Sequence, residues 1–138
     1  MKIVIDTNRI IAAFVKDGTT RKILLNKAFE FVTPDYTITE IDKHKEELQV
    51  KTGLDDSVFE VLLALIFENI KIIPFLDYTG FVGICKGKIS DPDDIPVLAT
   101  ALATRAQGIW AHDPHFLEQK KIKIFTNKDM LELIEKGI

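Results

Sequence analysis

The chain has 138 residues, 46% of them hydrophobic and 28% charged, and its net charge of −3 argues against nucleic-acid binding by bulk electrostatic attraction. Seven glycines and five prolines exclude a low-complexity chain, and the single cysteine, Cys85, excludes an internal disulfide. A chain of this length builds one hydrophobic core, so we expect one soluble, cytoplasmic domain over residues 1–138, without a signal peptide or a membrane span.

Five short apolar runs predict β-strands. The first, Lys2-Ile3-Val4-Ile5, is rich in β-branched residues and is typical of a strand buried on both faces. The others are Glu30 to Pro34, Ile70 to Pro74, Ile109 to Ala111, and Ile124 with Phe125. Because helical patterns separate these runs, we predict an α/β fold with a short, mainly parallel central sheet of about five strands flanked by helices.

The helical patterns lie between and after the strands. Ser57 and Glu60 have the spacing of a capping box, and they precede a segment, Val61 to Phe67, that is apolar on nearly all sides. Such a helix is either central or covered by a partner. The other predicted helices run from Thr7 or Asn8 to about Asp17, from Thr19 or Thr20 onward, from Tyr36 to about Val50, from about Asp77 to Arg105 with a break near Ser90 to Pro92, and from Asn127 to Glu135.

Carboxylates from four segments are predicted to meet at one edge of the sheet. Ligands of open parallel sheets bind outside the carboxyl ends of the strands. The acidic residues expected near that edge are Asp6, Glu40, Asp91, Asp93, Asp94 and Asp113. Carboxylates brought together repel one another unless a cation offsets their charge. Oxygen ligands without clustered histidine or cysteine favour Mg²⁺ or Mn²⁺ over zinc.

Taken one at a time, the acidic residues have structural explanations. Asp6 has the position of a helix cap, Glu40 that of a solvated helix face, and Asp113 precedes proline in a turn. Asp91-Pro92-Asp93-Asp94 also suits a helix N-terminus, where acids oppose the helix dipole. The metal hypothesis therefore depends on the four segments taken together.

Three motifs in chain order resemble those of PIN domains, a fold of metal-dependent nucleases that includes the VapC-type toxins. Ile3-Val4-Ile5-Asp6-Thr7-Asn8 resembles the opening strand and its Asp-Thr-Asn signature. Asp91-Pro92-Asp93-Asp94, with the small-residue helix that follows, resembles the third acidic position. Ile109-Trp110-Ala111-His112-Asp113-Pro114-His115-Phe116 resembles the motif of the fourth strand. The resemblance spans essentially the whole chain and implies a metal-dependent endoribonuclease.

The resemblance also implies roles for particular residues. It makes Asp6, Glu40, Asp94 and Asp113 the catalytic quartet, and Asp6, Asp94 and Asp113 metal ligands, with Asp91 as an additional ligand, three residues before Asp94. Asn8 and Thr7 take supporting positions. The partners implied are RNA, an antitoxin protein and a second copy of the chain. Arg9, Lys16, Arg21, Lys43, Lys45, Lys86 and Lys88 are the candidate RNA-binding residues.

Two departures from the PIN pattern leave alternatives open. Ala111 stands where the family has Thr or Ser, and His115 stands where another acid is common, which weakens a second metal position. A PIN-like scaffold that binds RNA or a protein with reduced catalysis is therefore one alternative. A receiver domain or phosphoaspartate hydrolase is another, although Thr7 and Asn8 occupy positions where a second acid would be needed.

The six acidic residues of the predicted site account for the negative net charge of the chain. They are six of the 21 acidic residues, and the rest of the chain carries a charge of +3 without them. If they converge on a metal ion, the outer surface is mildly basic. A basic surface of this kind suits a phosphate-bearing substrate.

Overall fold

A computed structural model describes residues 1–15 and 18–137 of the chain. Within them, a parallel sheet has five strands: β1 (Lys2–Ile5), β2 (Glu30–Pro34), β3 (Ile70–Ile73), β4 (Gly108–Trp110) and β5 (Ile124–Phe125). Their spatial order is β3-β2-β1-β4-β5, and every pairing is parallel. The predicted α/β class and the five strands are therefore confirmed. The sheet is entirely parallel, where a mainly parallel one was expected.

The helices pack on both faces of the sheet. They are α1 (Thr7–Phe14), α2 (Gly18–Leu24), α3 (Tyr36–Lys43), α4 (Lys45–Thr52), α5 (Asp56–Phe67), α6 (Phe75–Tyr78), α7 (Val82–Cys85), α8 (Ile95–Thr104) and α9 (Asn127–Glu135). Short 3₁₀ turns cover Thr79–Phe81, Pro92–Asp94 and Pro114–Glu118. No helix of the described residues is long and apolar enough to cross a membrane.

Alternation along β1 divides the core into two layers. Ile3 and Ile5 point into one layer, while Val4 points into the other. Cys85 lies in the layer around Val4, fully buried, as expected for a structural thiol. At the start of β4, a Cβ on Gly108 would lie 2.9 Å from the Lys123 carbonyl oxygen, so only glycine fits there. The absence of a side chain lets the chain before β5 approach this closely.

Several predicted helix boundaries were wrong. A single helix from Tyr36 to Val50 was expected, but His44 has φ −100° and ψ 5° and separates α3 from α4. The capping box at Ser57 and Glu60 was also wrong, because the Asp55 carboxylate accepts the cap bond from the Val58 N–H at 2.9 Å and α5 begins earlier. The segment expected to be helical from Asp77 to Arg105 is divided into short helices and turns. The predicted end of α1 at Asp17 lies outside the described residues.

Helix α5 does not occupy the centre of the molecule. Phe59 and Ile66 are buried, but Val58, Val61 and Leu65 are 48%, 61% and 52% exposed. Of the two alternatives that the apolar pattern allows, burial at the centre is wrong. Helix α5 therefore presents an exposed apolar face.

Candidate metal centre

The acidic residues converge where β1 and β4 lie side by side. The strand order changes direction between them, and ligands of parallel sheets bind at such a switch point. Asp6 follows β1 directly, and Asp113 comes three residues after the end of β4. Asp94 ends the 3₁₀ turn that leads into α8, and Glu40 comes from α3. Four segments therefore bring carboxylates to one edge, as expected from the sequence.

Four side chains form a compact group of metal-ligating atoms. One ligand atom from each of Asp91, Asp94, Asp113 and His115 lies within 4.8 Å of the others. Asp94 is buried, while the other three are accessible to different degrees. Asp6 is outside this group but next to it, because its charge contributes to raising the pKa of Asp94.

Two of the carboxylates have a buried oxygen without a partner. Asp6 and Asp94 are only 4% and 6% exposed, and the Oδ2 atom of each makes no hydrogen bond within the described part of the chain. Asp6 stands at the N-cap of α1, yet its side chain makes no capping bond. A buried carboxylate oxygen without a partner is costly, so these two oxygens suit the role of cation ligands.

The other two aspartates also stabilise the local backbone. Asp91 Oδ1 accepts the Asp93 N–H at 2.9 Å, and Asp113 Oδ1 accepts the His115 N–H at 2.9 Å. The structural explanation for acids at these positions is therefore correct in part. Each still has a second oxygen, and these bonds fix the direction in which it points.

The pKa values show the electrostatic strain of the cluster. Burial raises the pKa of Asp6 to about 7, and the charges of Glu40 and Asp113 add to the rise. Burial also raises the pKa of Asp94 to about 8, with contributions from Asp113 and Asp6. A divalent cation would oppose both shifts, because it stabilises the charged carboxylates. The residues present therefore fit a metal ion.

A row of threonine hydroxyls holds Glu40. The Thr7 hydroxyl donates to Glu40 Oε1 at 2.6 Å and lies 3.3 Å from the Thr37 hydroxyl, which is 2.9 Å from that of Thr33. Burial raises the pKa of Glu40, and the bond from Thr7 opposes that rise. Thr33 and Thr37 were missed at the sequence level. The sequence signal for Thr33 is a threonine within the otherwise apolar run of β2.

Asn8 occupies an exposed position in the first turn of α1. Its backbone N–H, with that of Thr7, opposes the rise in the pKa of Asp6. The backbone of this turn therefore stabilises the Asp6 carboxylate. The supporting role predicted for the Asn8 side chain stays a prediction.

Asp93 lies outside the group of metal-ligating atoms and binds the Tyr36 side chain. Its Oδ1 accepts the Tyr36 hydroxyl at 2.6 Å, a bond that raises the pKa of Tyr36 to about 12. Tyr36, Phe75 and Tyr78 line a hollow of about 460 Å³ beside it. Asp35 fixes this wall, since its carboxylate accepts the Phe75 N–H at 3.0 Å and the Tyr78 hydroxyl at 2.7 Å. The Phe75 ring remains 52% exposed.

The candidate RNA-binding cations fall into different groups. Arg21 donates to the Ala13 and Phe14 carbonyls at 2.5 and 3.3 Å, and thereby stabilises the end of α1. Lys45 forms ion pairs with Glu60 and Asp56 at 2.8 and 3.6 Å. Both side chains are thus engaged within the chain.

Three of the other candidate cations are exposed. Lys43 is exposed and its charge lowers the pKa of Glu40, while Lys86 and Lys88 are exposed on the segment leading to Asp91. Arg9 is half-buried on α1, and Lys16 lies outside the described residues. Lys43, Lys86 and Lys88 therefore stay candidates for phosphate contacts.

Comparisons with known proteins agree with this architecture. The family model described as the PIN domain matches residues 4–132. No curated protein matches the chain at a significant level. Similar solved structures include a toxin-antitoxin complex from Klebsiella pneumoniae, 18% identical with a TM-score of 0.66, which covers 91% of this chain and 97% of that one.

Two further solved structures are similar to the chain. VapBC2 from Rickettsia felis, bound to a promoter DNA fragment, is 20% identical with a TM-score of 0.67 and covers 91% of this chain and 98% of that one. VapBC-1 from nontypeable Haemophilus influenzae is 19% identical with a TM-score of 0.62 and covers 93% and 99%. At these identities the structures show a shared fold. The match to residues 4–132, together with the all-parallel sheet and its edge of carboxylates, places the chain in the PIN-domain family.

Proposed function

We propose that the chain is a metal-dependent endoribonuclease that hydrolyses RNA phosphodiester bonds, acting as one domain in the cytoplasm. The observation that carries this proposal is the pair of buried oxygens on Asp6 and Asp94, which lack partners in the described residues. Both lie at the sheet edge of a PIN domain, a nuclease family. Their raised pKa values support a site built for a cation.

In this proposal, Asp6 and Asp94 hold Mg²⁺ or Mn²⁺, and Asp113 and Asp91 complete the ligand set. A divalent ion, when bound there, supplies positive charge for a phosphate and lowers the pKa of a water molecule. Asp113 and Glu40 would bind a second ion or orient the attacking water. Asn8 and Thr7 keep their supporting roles.

Glu40 has the properties of a general base. Its Oε1 is fixed by the Thr7 hydroxyl, which leaves Oε2 to accept a proton from water. Burial raises the pKa of Glu40 above its ordinary value, and a carboxylate with a raised pKa accepts a proton more readily. Glu40 is half-buried, so a water molecule can reach it.

Single-stranded RNA is the substrate form that the surroundings favour. Proteins that bind single strands combine basic groups for the backbone with aromatic rings on which bases stack. Lys86 and Lys88 provide exposed charges, and Phe75 provides an exposed ring beside Tyr36. The bond from Tyr36 to Asp93 connects this hollow with the turn that carries Asp94. A strand whose phosphate lies at the carboxylates would therefore cross the hollow.

The structural neighbours support a toxin-antitoxin context, and we extend this context to the chain as a proposal. In it, an antitoxin protein inhibits the nuclease, and a second copy of the chain covers the apolar face of α5. Leu65 belongs to that face and lines a hollow of about 310 Å³ with Leu24, Leu25 and Leu62. Light scattering is expected to show a dimer for the wild type and a monomer for Leu65→Glu. A monomeric wild type would reject the dimer.

RNA cleavage by purified protein tests the nuclease proposal. Mixed RNA should be cut in Mn²⁺ or Mg²⁺, left intact in EDTA, and left intact by Asp6→Asn and Asp94→Asn. The matched control is Asp42→Asn, which changes an exposed acid on α3 and should cleave like the wild type. Cleavage that survives both site substitutions would reject the assigned residues.

A binding scaffold with little catalysis is the second candidate function. Ala111 is the observation that favours it. This buried residue stands where the PIN pattern has Thr or Ser, so it lacks a hydroxyl that would orient a carboxylate or water. RNA binding without cleavage in either metal would favour the scaffold. Restoration of cleavage by Ala111→Ser would show that the missing hydroxyl is the cause.

A further inference from the structure

His115 is the histidine that reaches the carboxylates. Its Nδ1 lies 3.0 Å from Asp113 Oδ1, 3.8 Å from Asp91 Oδ2 and 3.9 Å from Asp94 Oδ2. The other two histidines are engaged elsewhere: His44 pairs with Glu47, and His112 accepts the Asn127 N–H. The resemblance to PIN domains led us to expect that His115 weakens a metal position. The geometry instead adds it to the group of ligand atoms.

The separations suit atoms that share one ion. In an octahedral shell, two atoms bound to the same ion at about 2.1 Å lie about 3.0 Å apart when they are adjacent and about 4.2 Å apart when they are opposite. The 3.0 Å distance from His115 Nδ1 to Asp113 Oδ1 matches adjacent ligands, and the 3.8 and 3.9 Å distances to Asp91 Oδ2 and Asp94 Oδ2 lie between the two separations. The distances to Asp91 and Asp94 are too long for hydrogen bonds.

An independent observation also points to a ligand at this position. Asp94 is only 6% exposed, and its Oδ2 has no hydrogen-bond partner in the described residues. This is the oxygen that lies 3.9 Å from His115 Nδ1. The two atoms are too far apart for a direct hydrogen bond, and a cation between them would give the Asp94 oxygen the partner that it lacks.

A nitrogen ligand changes the choice of metal. Mg²⁺ prefers oxygen ligands in a strict octahedral shell, whereas first-row transition ions accept imidazole readily. We propose that His115 is a direct nitrogen ligand of this centre and makes it select Mn²⁺ over Mg²⁺. This inference rests on the metal centre of the proposed function, and it assigns the ion that the centre takes.

The backbone of His115 is held by the neighbouring Asp113 side chain. The 3₁₀ turn Pro114–Glu118 begins at His115's neighbour, and the His115 N–H donates to Asp113 Oδ1 at 2.9 Å. Asp113 thus orients the backbone of His115 and shares the ligand group with its ring. Preorganisation of this kind reduces the entropy lost on binding.

Electron spin echo envelope modulation of the Mn²⁺-loaded chain tests the inference. Imidazole nitrogen on Mn²⁺ produces a characteristic ¹⁴N modulation, and the free-ion signal in the same titration measures affinity. We expect the modulation in the wild type and its loss in His115→Gln. The control is His44→Gln, which removes a histidine of nearly equal side-chain exposure, 52% against 51%, and should keep the modulation.

The selectivity is tested by competition between Mg²⁺ and bound Mn²⁺. His115→Asp replaces the nitrogen ligand with an oxygen ligand. It should lower the affinity for Mn²⁺ on the order of tenfold, while the affinity for Mg²⁺ stays the same or rises. Because His115 is exposed, neither variant is expected to disturb folding, which circular dichroism checks.

Each outcome has a definite meaning. Bound Mn²⁺ without ¹⁴N modulation, or modulation that survives His115→Gln, overturns the role of His115 and leaves the metal centre intact. Unchanged Mn²⁺ to Mg²⁺ preference in His115→Asp overturns the selectivity. Failure of the wild type to bind Mn²⁺ overturns the metal centre itself and this inference with it.

Discussion

Replacing Asp94 with asparagine should stabilise the metal-free protein while removing its activity. Asp94 is buried among carboxylates, and its pKa is raised to about 8 from an ordinary value of 3.8. Because the folded-state pKa is the higher one, the folded state loses stability as the pH rises from about 4 to about 8. Asparagine has the same shape but no charge, so Asp94→Asn should escape this loss.

The size of the effect follows from the geometry. Ligand atoms of Asp94 and Asp113 lie within 4.8 Å, and two unit charges at that separation repel by about 3 kcal/mol at an effective dielectric constant of about 20. Partial protonation and local relaxation reduce the gain. We therefore expect Asp94→Asn to raise the free energy of unfolding by about 1–3 kcal/mol at pH 8 in EDTA, which is several degrees in Tm.

Thermal and urea unfolding in EDTA at pH 5 and pH 8 measure the gain. At pH 5 only the first part of this loss has occurred, so the gain of the variant over the wild type should be clearly smaller than at pH 8. The control Asp42→Asn should stay within about 0.5 kcal/mol of the wild type at both pH values. A variant less stable than the wild type at pH 8, or one with an equal gain at both pH values, would refute the reasoning.

Three further expectations follow from the same site. The rise in Tm produced by Mn²⁺ should increase between pH 6 and pH 8 in differential scanning fluorimetry, because the carboxylates with pKa values of about 7 and 8 must lose protons to bind; a pH-independent rise would contradict this. Thr7→Val removes the bond to Glu40 and should lower the single-turnover cleavage rate on the order of tenfold or more, while Mn²⁺ affinity holds, as the titration of free Mn²⁺ would show. Phe75→Ala should weaken single-stranded RNA binding by about 1–3 kcal/mol in fluorescence anisotropy with Ca²⁺ in place of Mn²⁺. Its neighbour Leu76 is 84% exposed and outside the hollow, so Leu76→Ala should bind like the wild type, and equal losses would reject base stacking.

The sheet and the acidic edge could be predicted because their signals are local. A strand buried on both faces needs a continuous apolar run, and each of the five runs contributes a strand. Residues that follow such strands must lie at one edge of a parallel sheet, so the convergence of Asp6 and Asp113 followed from chain position alone.

Details that depend on tertiary contacts could not be predicted in this way. Whether Asp93 or Asp91 faces the cluster depends on the turn before α8, where the Tyr36 hydroxyl binds Asp93. The contribution of His115 depends on how the chain turns after Asp113. The exposure of α5 was ambiguous because an apolar pattern is the same whether a helix meets its own core or a partner.

The anomalous difference map of crystals soaked in Mn²⁺ tests the central claim most directly. We predict a strong peak within coordination distance of Asp94 and Asp113, with His115 Nδ1 beside it. Crystals of Asp94→Asn should show no such peak. A map without a peak at this edge of the sheet, at a Mn²⁺ concentration that supports cleavage, would contradict the account.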